Sequence, residues 1–178
     1  SYTYDNRGRV VEVKKIIVGR ERTVSYTYDY MDRIVTETYP GGEVLTYSYD
    51  DDGGLAGITG NDNGNITDYA SNITYTAQGK LKEIHLGNGI TTTYGYYDDA
   101  AGDLSNGGRT HSYRLRSINI ENSASMTIAH TEYQYDACDN IVYKDFSDDY
   151  NGAYTEYFTY DFLNRLTQAD SRNLYGFK

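Results

Sequence analysis

The sequence of 178 residues has one cysteine, one proline and no tryptophan. A lone Cys138 excludes an intrachain disulfide and any cysteine-based metal motif. No window carries sustained apolar residues at i, i+3, i+4 and i+7, so no long helix is expected. No apolar run approaches the roughly 20 residues that a helical membrane span needs. Basic residues are also scarce: 16 Lys and Arg face 26 Asp and Glu, for a net charge of −10. That balance argues against a nucleic-acid partner, which needs a basic patch, and reads first as solubility. Catalytic signatures are missing as well. The three histidines, His85, His111 and His130, show no metal-pair spacing. A Gly-x-Ser-x-Gly elbow, a Walker loop and a Gly-x-Gly-x-x-Gly turn after a buried strand are all absent. Acids are plentiful, but nothing singles out a hydrolytic pair. The chain reads as non-enzymatic and without a cofactor.

What is abundant is tyrosine, 22 residues, together with 18 glycines. Tyr, Thr and Ile favour strands; Gly, Asn and Asp favour turns. These residues fall into a repeat. The first copy runs Tyr2-Thr-Tyr4-Asp5-Asn-Arg-Gly8-Arg9-Val10 and the second Tyr26-Thr-Tyr28-Asp29-Tyr-Met-Asp32-Arg33-Ile34. The third runs Tyr47-Ser-Tyr49-Asp50-Asp51-Asp52-Gly53-Gly54-Leu55. The fourth is degenerate, Ile73-Thr-Tyr75-Thr76-Ala-Gln-Gly79-Lys80-Leu81. The fifth starts Tyr94-Gly-Tyr96, has an expanded turn, and resumes at Arg114-Leu115. The sixth is Tyr133-Gln-Tyr135-Asp136-Ala-Cys-Asp139-Asn140-Ile141, and the seventh Phe158-Thr-Tyr160-Asp161-Phe-Leu-Asn164-Arg165-Leu166. The second tyrosines, at 4, 28, 49, 75, 96, 135 and 160, lie 21 to 26 residues apart except for one interval of 39.

Each copy reads as a hairpin tip. Paired tyrosines two apart share one face of a strand. The aspartate opens the turn by accepting from backbone amides ahead of it. The turn closes on Gly8, Asp32, Gly53, Gly79, Asp139 or Asn164, residue types that bear positive φ at least cost. An aliphatic residue always follows, and an apolar one often returns three positions later, at Val13, Ile58, Ile84, Ile118 and Ala169. That step of three predicts a bulge or strong twist in the return strand. Further turns are expected at Pro40-Gly41-Gly42 and Gly87-Asn88-Gly89. The whole is an all-β, continuous antiparallel meander of β-hairpin repeats, roughly fourteen strands. Twist should coil it into part of a spiral shell or open barrel. One repeat strip is expected over 1–178, with an insertion loop at 98–112 that reads as a solvated excursion or a contact surface. Its long free edges predict edge-to-edge self-association.

Two other readings apply to these residues. Asp50-Asp51-Asp52-Gly53 and Asn61-Asp62-Asn63-Gly64-Asn65 could hold calcium, although neither fits an EF-hand loop and both read first as solvated turns. The tyrosine stripe reads as a structural ladder or as a sugar-binding face. Recurrence in every period favours structure. The chain opens at Ser1-Tyr2, already inside the repeat and without an initiator Met. It is expected to be a piece of a longer protein, with any export or anchoring signals outside it.

The repeated Tyr-x-Tyr-Asp-x-x-Gly-Arg-Leu pattern resembles the YD repeat of Rhs-type proteins, most closely at Tyr2 to Val10, Tyr133 to Ile141 and Tyr160 to Leu166. That family includes bacterial Rhs polymorphic toxins, shell components of insecticidal toxin complexes, and teneurins. The resemblance implies a hairpin strip wound into a hollow shell, which in bacterial members encloses a C-terminal toxin. It implies shell material here, secreted or at the cell surface, with the rest of the parent shell and an enclosed toxin domain as partners. The alternative is an extracellular carbohydrate-binding or adhesion module that uses the aromatic face and the 98–112 loop. Copies four and five depart from the pattern, with Thr76 and Tyr97 in place of the aspartate, and locally altered turns are expected there. No counterpart of the family's self-cleaving segment precedes Lys178, so no catalytic residue carries over. No toxin domain is visible.

Overall fold

The computed structural model describes residues 1–97, 113–149 and 152–173. Among these, all regular structure is strand. The first seven strands are β1 (Tyr2–Tyr4), β2 (Val10–Ile17), β3 (Arg20–Tyr28), β4 (Ile34–Thr38), β5 (Val44–Tyr49), β6 (Leu55–Asp62) and β7 (Asn65–Tyr75). The rest are β8 (Leu81–Leu86), β9 (Thr91–Tyr96), β10 (Leu115–Glu121), β11 (Thr127–Tyr135), β12 (Ile141–Asp148), β13 (Gly152–Tyr160) and β14 (Leu166–Asn173). They lie in one sheet in chain order, and every pair with a described register is antiparallel. The expected all-β meander of fourteen strands is what forms. The 98–112 insertion, with His111, lies outside the described residues. The chain divides into two compact units, Ser1–Lys80 with Ile84–Asn88, and Leu81–Glu83 with Gly89–Lys178.

One turn design recurs in both units. In the first copy the Asp5 N–H donates to the Arg9 carbonyl at 2.9 Å, and the Gly8 N–H to the Asp5 carbonyl at 3.0 Å. This is a type I turn closed by a left-handed residue, the three-residue hairpin loop. The same two bonds form at Asp29, Asp50, Thr76, Asp136 and Asp161. The closing residue has positive φ each time: 78° at Gly8, 66° at Asp32, 89° at Gly53, 74° at Gly79, 70° at Asp139 and 59° at Asn164. Thr76 does not distort its turn as expected. Its hydroxyl accepts from the Gln78 and Lys80 amides at 3.3 and 3.2 Å, much as the aspartates do.

Wherever the register behind these turns is described, the step of three is a β-bulge. Tyr4 pairs with Val10 but Thr3 with Glu12, so Val11 is the extra residue. The register shifts in the same way at Tyr28, Tyr49, Tyr96, Tyr135 and Tyr160. A bulge bends the strand and increases its twist.

The opposite turns vary more. Tyr39 and Asn122 open the same three-residue loop. Val18-Gly19 and Asn63-Gly64 form two-residue tips with both φ values positive, the primed geometry of tight hairpins. Asn63-Gly64 suits that geometry; β-branched Val18, at φ 50° and almost fully exposed, does not.

Burial is shallow in each unit. Among the described residues the buried hydrophobic side chains are Ala70 and Ile73 in the first and Tyr97 in the second, joined there by Thr155. Most strand residues are only half-buried, including every residue of β4, β9 and β12. Order therefore rests on strand pairing and cross-strand side chains more than on a packed core.

Candidate functional site

The feature that repeats with the sequence is the junction between one hairpin and the next. It begins with the turn aspartate. Oδ1 of Asp29 accepts from the Met31 and Arg33 amides at 2.8 and 2.9 Å, and Oδ2 pairs with Arg33 Nε at 2.7 Å. Asp5 does the same with the Arg7 and Arg9 amides and Arg9 Nε, and Asp161 with the Leu163 and Arg165 amides and Arg165 Nε. Asp136 takes the Cys138 and Asn140 amides and the Asn140 side-chain amide. A carboxylate that collects three donors across its own turn locks that turn.

The second link joins neighbouring repeats. From the second copy on, the hydroxyl of each second tyrosine donates to the carbonyl of the aliphatic residue that opens the previous return strand. Tyr28 reaches Val10 at 2.6 Å, Tyr49 reaches Ile34 at 2.7 Å and Tyr75 reaches Leu55 at 3.1 Å. Tyr96 reaches Leu81 at 2.8 Å, Tyr135 reaches Leu115 at 2.8 Å and Tyr160 reaches Ile141 at 2.9 Å. For Val10, Ile34, Leu55, Leu115 and Ile141 that carbonyl sits at the bulge, where the ladder is disrupted. Capping it is worth about 1 kcal/mol, and leaving it bare costs more.

The third link is the basic or amide residue after the turn. Arg9 Nη1 lies 2.6 Å from Asp32 Oδ1, and its guanidinium is 4.7 Å from the centre of the Tyr28 ring. Arg114 repeats this with Asp139 at 2.6 Å and Tyr135 at 4.7 Å. Arg33 lies over Tyr49 at 4.2 Å but faces Gly53, which offers no carboxylate. Between the last two copies Asn140 Nδ2 donates to Asn164 Oδ1 at 3.0 Å. Asp32 and Asp139 thus do two things: they adopt positive φ and they bind the cation of the preceding repeat. Sequence reasoning found only the first role. The signal for the second was present, because Arg9 and Arg114 each precede a turn that closes on Asp.

The first tyrosines are placed differently. Tyr2 is exposed, as is Tyr4, the second tyrosine of that copy. The Tyr47 hydroxyl donates to Glu37 Oε2 at 2.9 Å. Tyr26 also lies beside Glu37. Tyr94 pairs with Ile118 across β9 and β10, and the Tyr133 carbonyl accepts from the buried Tyr97 at 2.6 Å. Of the two acidic stretches, Asp50 braces its turn through the Gly54 amide at 2.6 Å. The Asn61 side-chain oxygen accepts from the Gly64 amide at 2.8 Å, and Asp62 from Asn63 Nδ2 at 2.8 Å. Among the described residues no three His, Cys, Asp or Glu side chains converge as a metal site would require.

Ionisation follows this bonding. Burial, with the Glu37 carboxylate behind it, pushes Tyr47 from the ordinary 10 up to about 12. Burial also raises Tyr49, Tyr96 and Tyr135. On the acid side Asp5 and Asp161 are held below 3.8, chiefly by the Arg9 amide and the Arg165 guanidinium respectively. At Asp29 and Asp136 burial is the largest influence and opposes the shift. It is outweighed by the donors of Arg33 and Asn140, so both are also lowered. Raised tyrosines stabilise the fold fully below pH 10 and lose that contribution as pH climbs through their folded values, to about 12 for Tyr47. Lowered aspartates contribute above 3.8 and lose their contribution as pH falls through their folded values. Urea midpoints should therefore form a plateau that falls at both ends, with tyrosinate absorbance rising together with loss of strand signal. Ordinary tyrosinate titration with the sheet intact would contradict this.

These links define a sheet of repeated hairpins, in which the recurring chemistry of each tip fastens it to the one before. Residues 1–71 match the Teneurin YD-shell family model, and the resemblance to the Rhs/YD-repeat family holds. The fold is shared with solved toxin-complex structures. A TcdB2-TccC3-Cdc42 crystal structure matches with TM-score 0.76 and 20% identity over 94% of this chain and 9% of that one. TcdB2-TccC3 without its hypervariable C-terminal region gives 0.74 and 20% over the same shares. A Photorhabdus luminescens Tc holotoxin pore gives 0.64 and 17% over 92% and 10%. The chain thus spans about a tenth of the length of these toxin-complex structures. No curated protein matches it.

Proposed function

We propose that the chain is a non-enzymatic segment of a YD-repeat β-shell, one strip over 1–178, whose wall encloses or presents another polypeptide such as a toxin. The observation that carries this reading is the junction. Its aspartates, tyrosines and arginines are spent on fastening hairpin to hairpin, copy after copy. Shallow burial supports it too, since a sheet that buries so few of its own side chains gains from a second layer supplied by a partner. The partners are the rest of the parent shell and its contents, and the setting is secreted or cell-surface. A carbohydrate-binding or adhesion module has less support, because six second tyrosines already commit their hydroxyls to backbone carbonyls.

Protease digestion of the intact parent protein tests the proposal. A polypeptide outside the repeats should survive native digestion and be degraded once urea opens the wall. Equal digestion before and after urea would contradict enclosure.

A further inference from the structure

The junction after the third repeat lacks its cation. Where repeats one, two, five and seven place Arg9, Arg33, Arg114 and Arg165, repeat three has Gly54. Asp50 therefore keeps only the Gly54 amide, where Asp29 also holds a guanidinium. Across the junction no cation among the described residues covers the Tyr75 ring, whereas Arg9, Arg33 and Arg114 cover Tyr28, Tyr49 and Tyr135. The space is open: a recess of about 590 Å³ is lined by Asp50, Asp52, Gly54, Tyr75 and Gly79. A carboxylate beside an aromatic face is the pair of surfaces that the sibling repeats present to arginine. Arginine suits both, because its planar fork meets the carboxylate and its flat face meets the ring. Residue 54 has no side chain to send there. A Cβ on it would lie 2.7 Å from the Tyr75 ring edge and 2.8 Å from Asp50 Oδ2.

We propose that this recess is a binding site for the guanidinium of an arginine side chain supplied by another polypeptide, seated between Asp50 and the face of Tyr75. It goes beyond the wall role by giving the wall a specific point of attachment. It does not depend on enclosure, since a wall that encloses nothing would keep the site.

The probe is N-acetyl-arginine amide, titrated into the chain with the tyrosine rings isotopically labelled. The Tyr75 ring resonances should move saturably in the millimolar range. N-acetyl-lysine amide should bind several-fold more weakly. Asp50→Asn should weaken the arginine probe about tenfold. The turn survives that change, because Asn122 braces the same loop through its side-chain oxygen. An unmoved Tyr75, or equal binding by wild type and Asp50→Asn, would overturn the site.

Discussion

Tyr135→Ala is expected to destabilise the fold by about 3 kcal/mol, a value near the lower end for removing an aromatic ring from a packed site. The ring stands at the best-furnished junction. Its hydroxyl caps the Leu115 carbonyl at 2.8 Å, Arg114 covers its face at 4.7 Å, and Tyr97 meets it edge-on at 6.2 Å. Alanine removes all three and leaves the bulge carbonyl without its cap. Tyr135→Phe keeps the ring and loses only the hydroxyl, so it should cost about 1 kcal/mol. Urea unfolding of the two variants separates the contributions. A Phe variant as unstable as the Ala variant would mean that the hydroxyl, not the ring, carries the junction. Two variants that unfold like wild type would remove the junction as a source of stability.

Gly87→Ala should cost roughly 2 to 3 kcal/mol, for a different reason. Gly87 donates its N–H to the Tyr69 carbonyl at 3.0 Å, which draws the two backbones together. A Cβ there would overlap the Asp68 carbonyl oxygen. The obstacle is backbone, so no rotamer change relieves it, and a strand must move. Gly41→Ala is the control: nothing lies within 4 Å of its added Cβ and its φ is not positive. Thermal or urea midpoints should drop for Gly87→Ala and stay near wild type for Gly41→Ala. The reverse order would show that the approach of β7 to the β8 turn is not as described.

The fold was largely legible because the hairpin tip is local chemistry. Tyr-x-Tyr-Asp followed by a positive-φ residue specifies a strand, a braced turn and a return strand within nine residues. The bulge could be read from the step of three between aliphatic residues. The Asn122 turn was not foreseen, since it carries no tyrosine pair, although Asn122 with Ser125 at φ 57° plays the parts of Asp and Gly. Val18 could not be foreseen at all, because valine is among the residues least suited to positive φ.

The junction was harder to read, for a physical reason. Tyr28 and Val10 are 18 residues apart, and Arg9 and Asp32 are 23 apart. Periodicity shows that these residues recur, but only the register of the sheet shows which copy meets which. Thr76 makes the same point in reverse. It departs from the aspartate pattern and was expected to alter its turn, yet one hydroxyl oxygen serves the same two amides.

The proposed function makes this chain a length of wall, joined to its neighbours as its repeats are joined to each other. A cryo-EM structure of the parent assembly tests it most directly. In that assembly a neighbouring repeat's carbonyl should accept from the exposed Tyr4 hydroxyl. A following tyrosine should cap the Leu166 carbonyl, with Arg165 reaching into the next turn. Tyr4 and Leu166 facing solvent in an assembly whose sheet ends at this chain would contradict it.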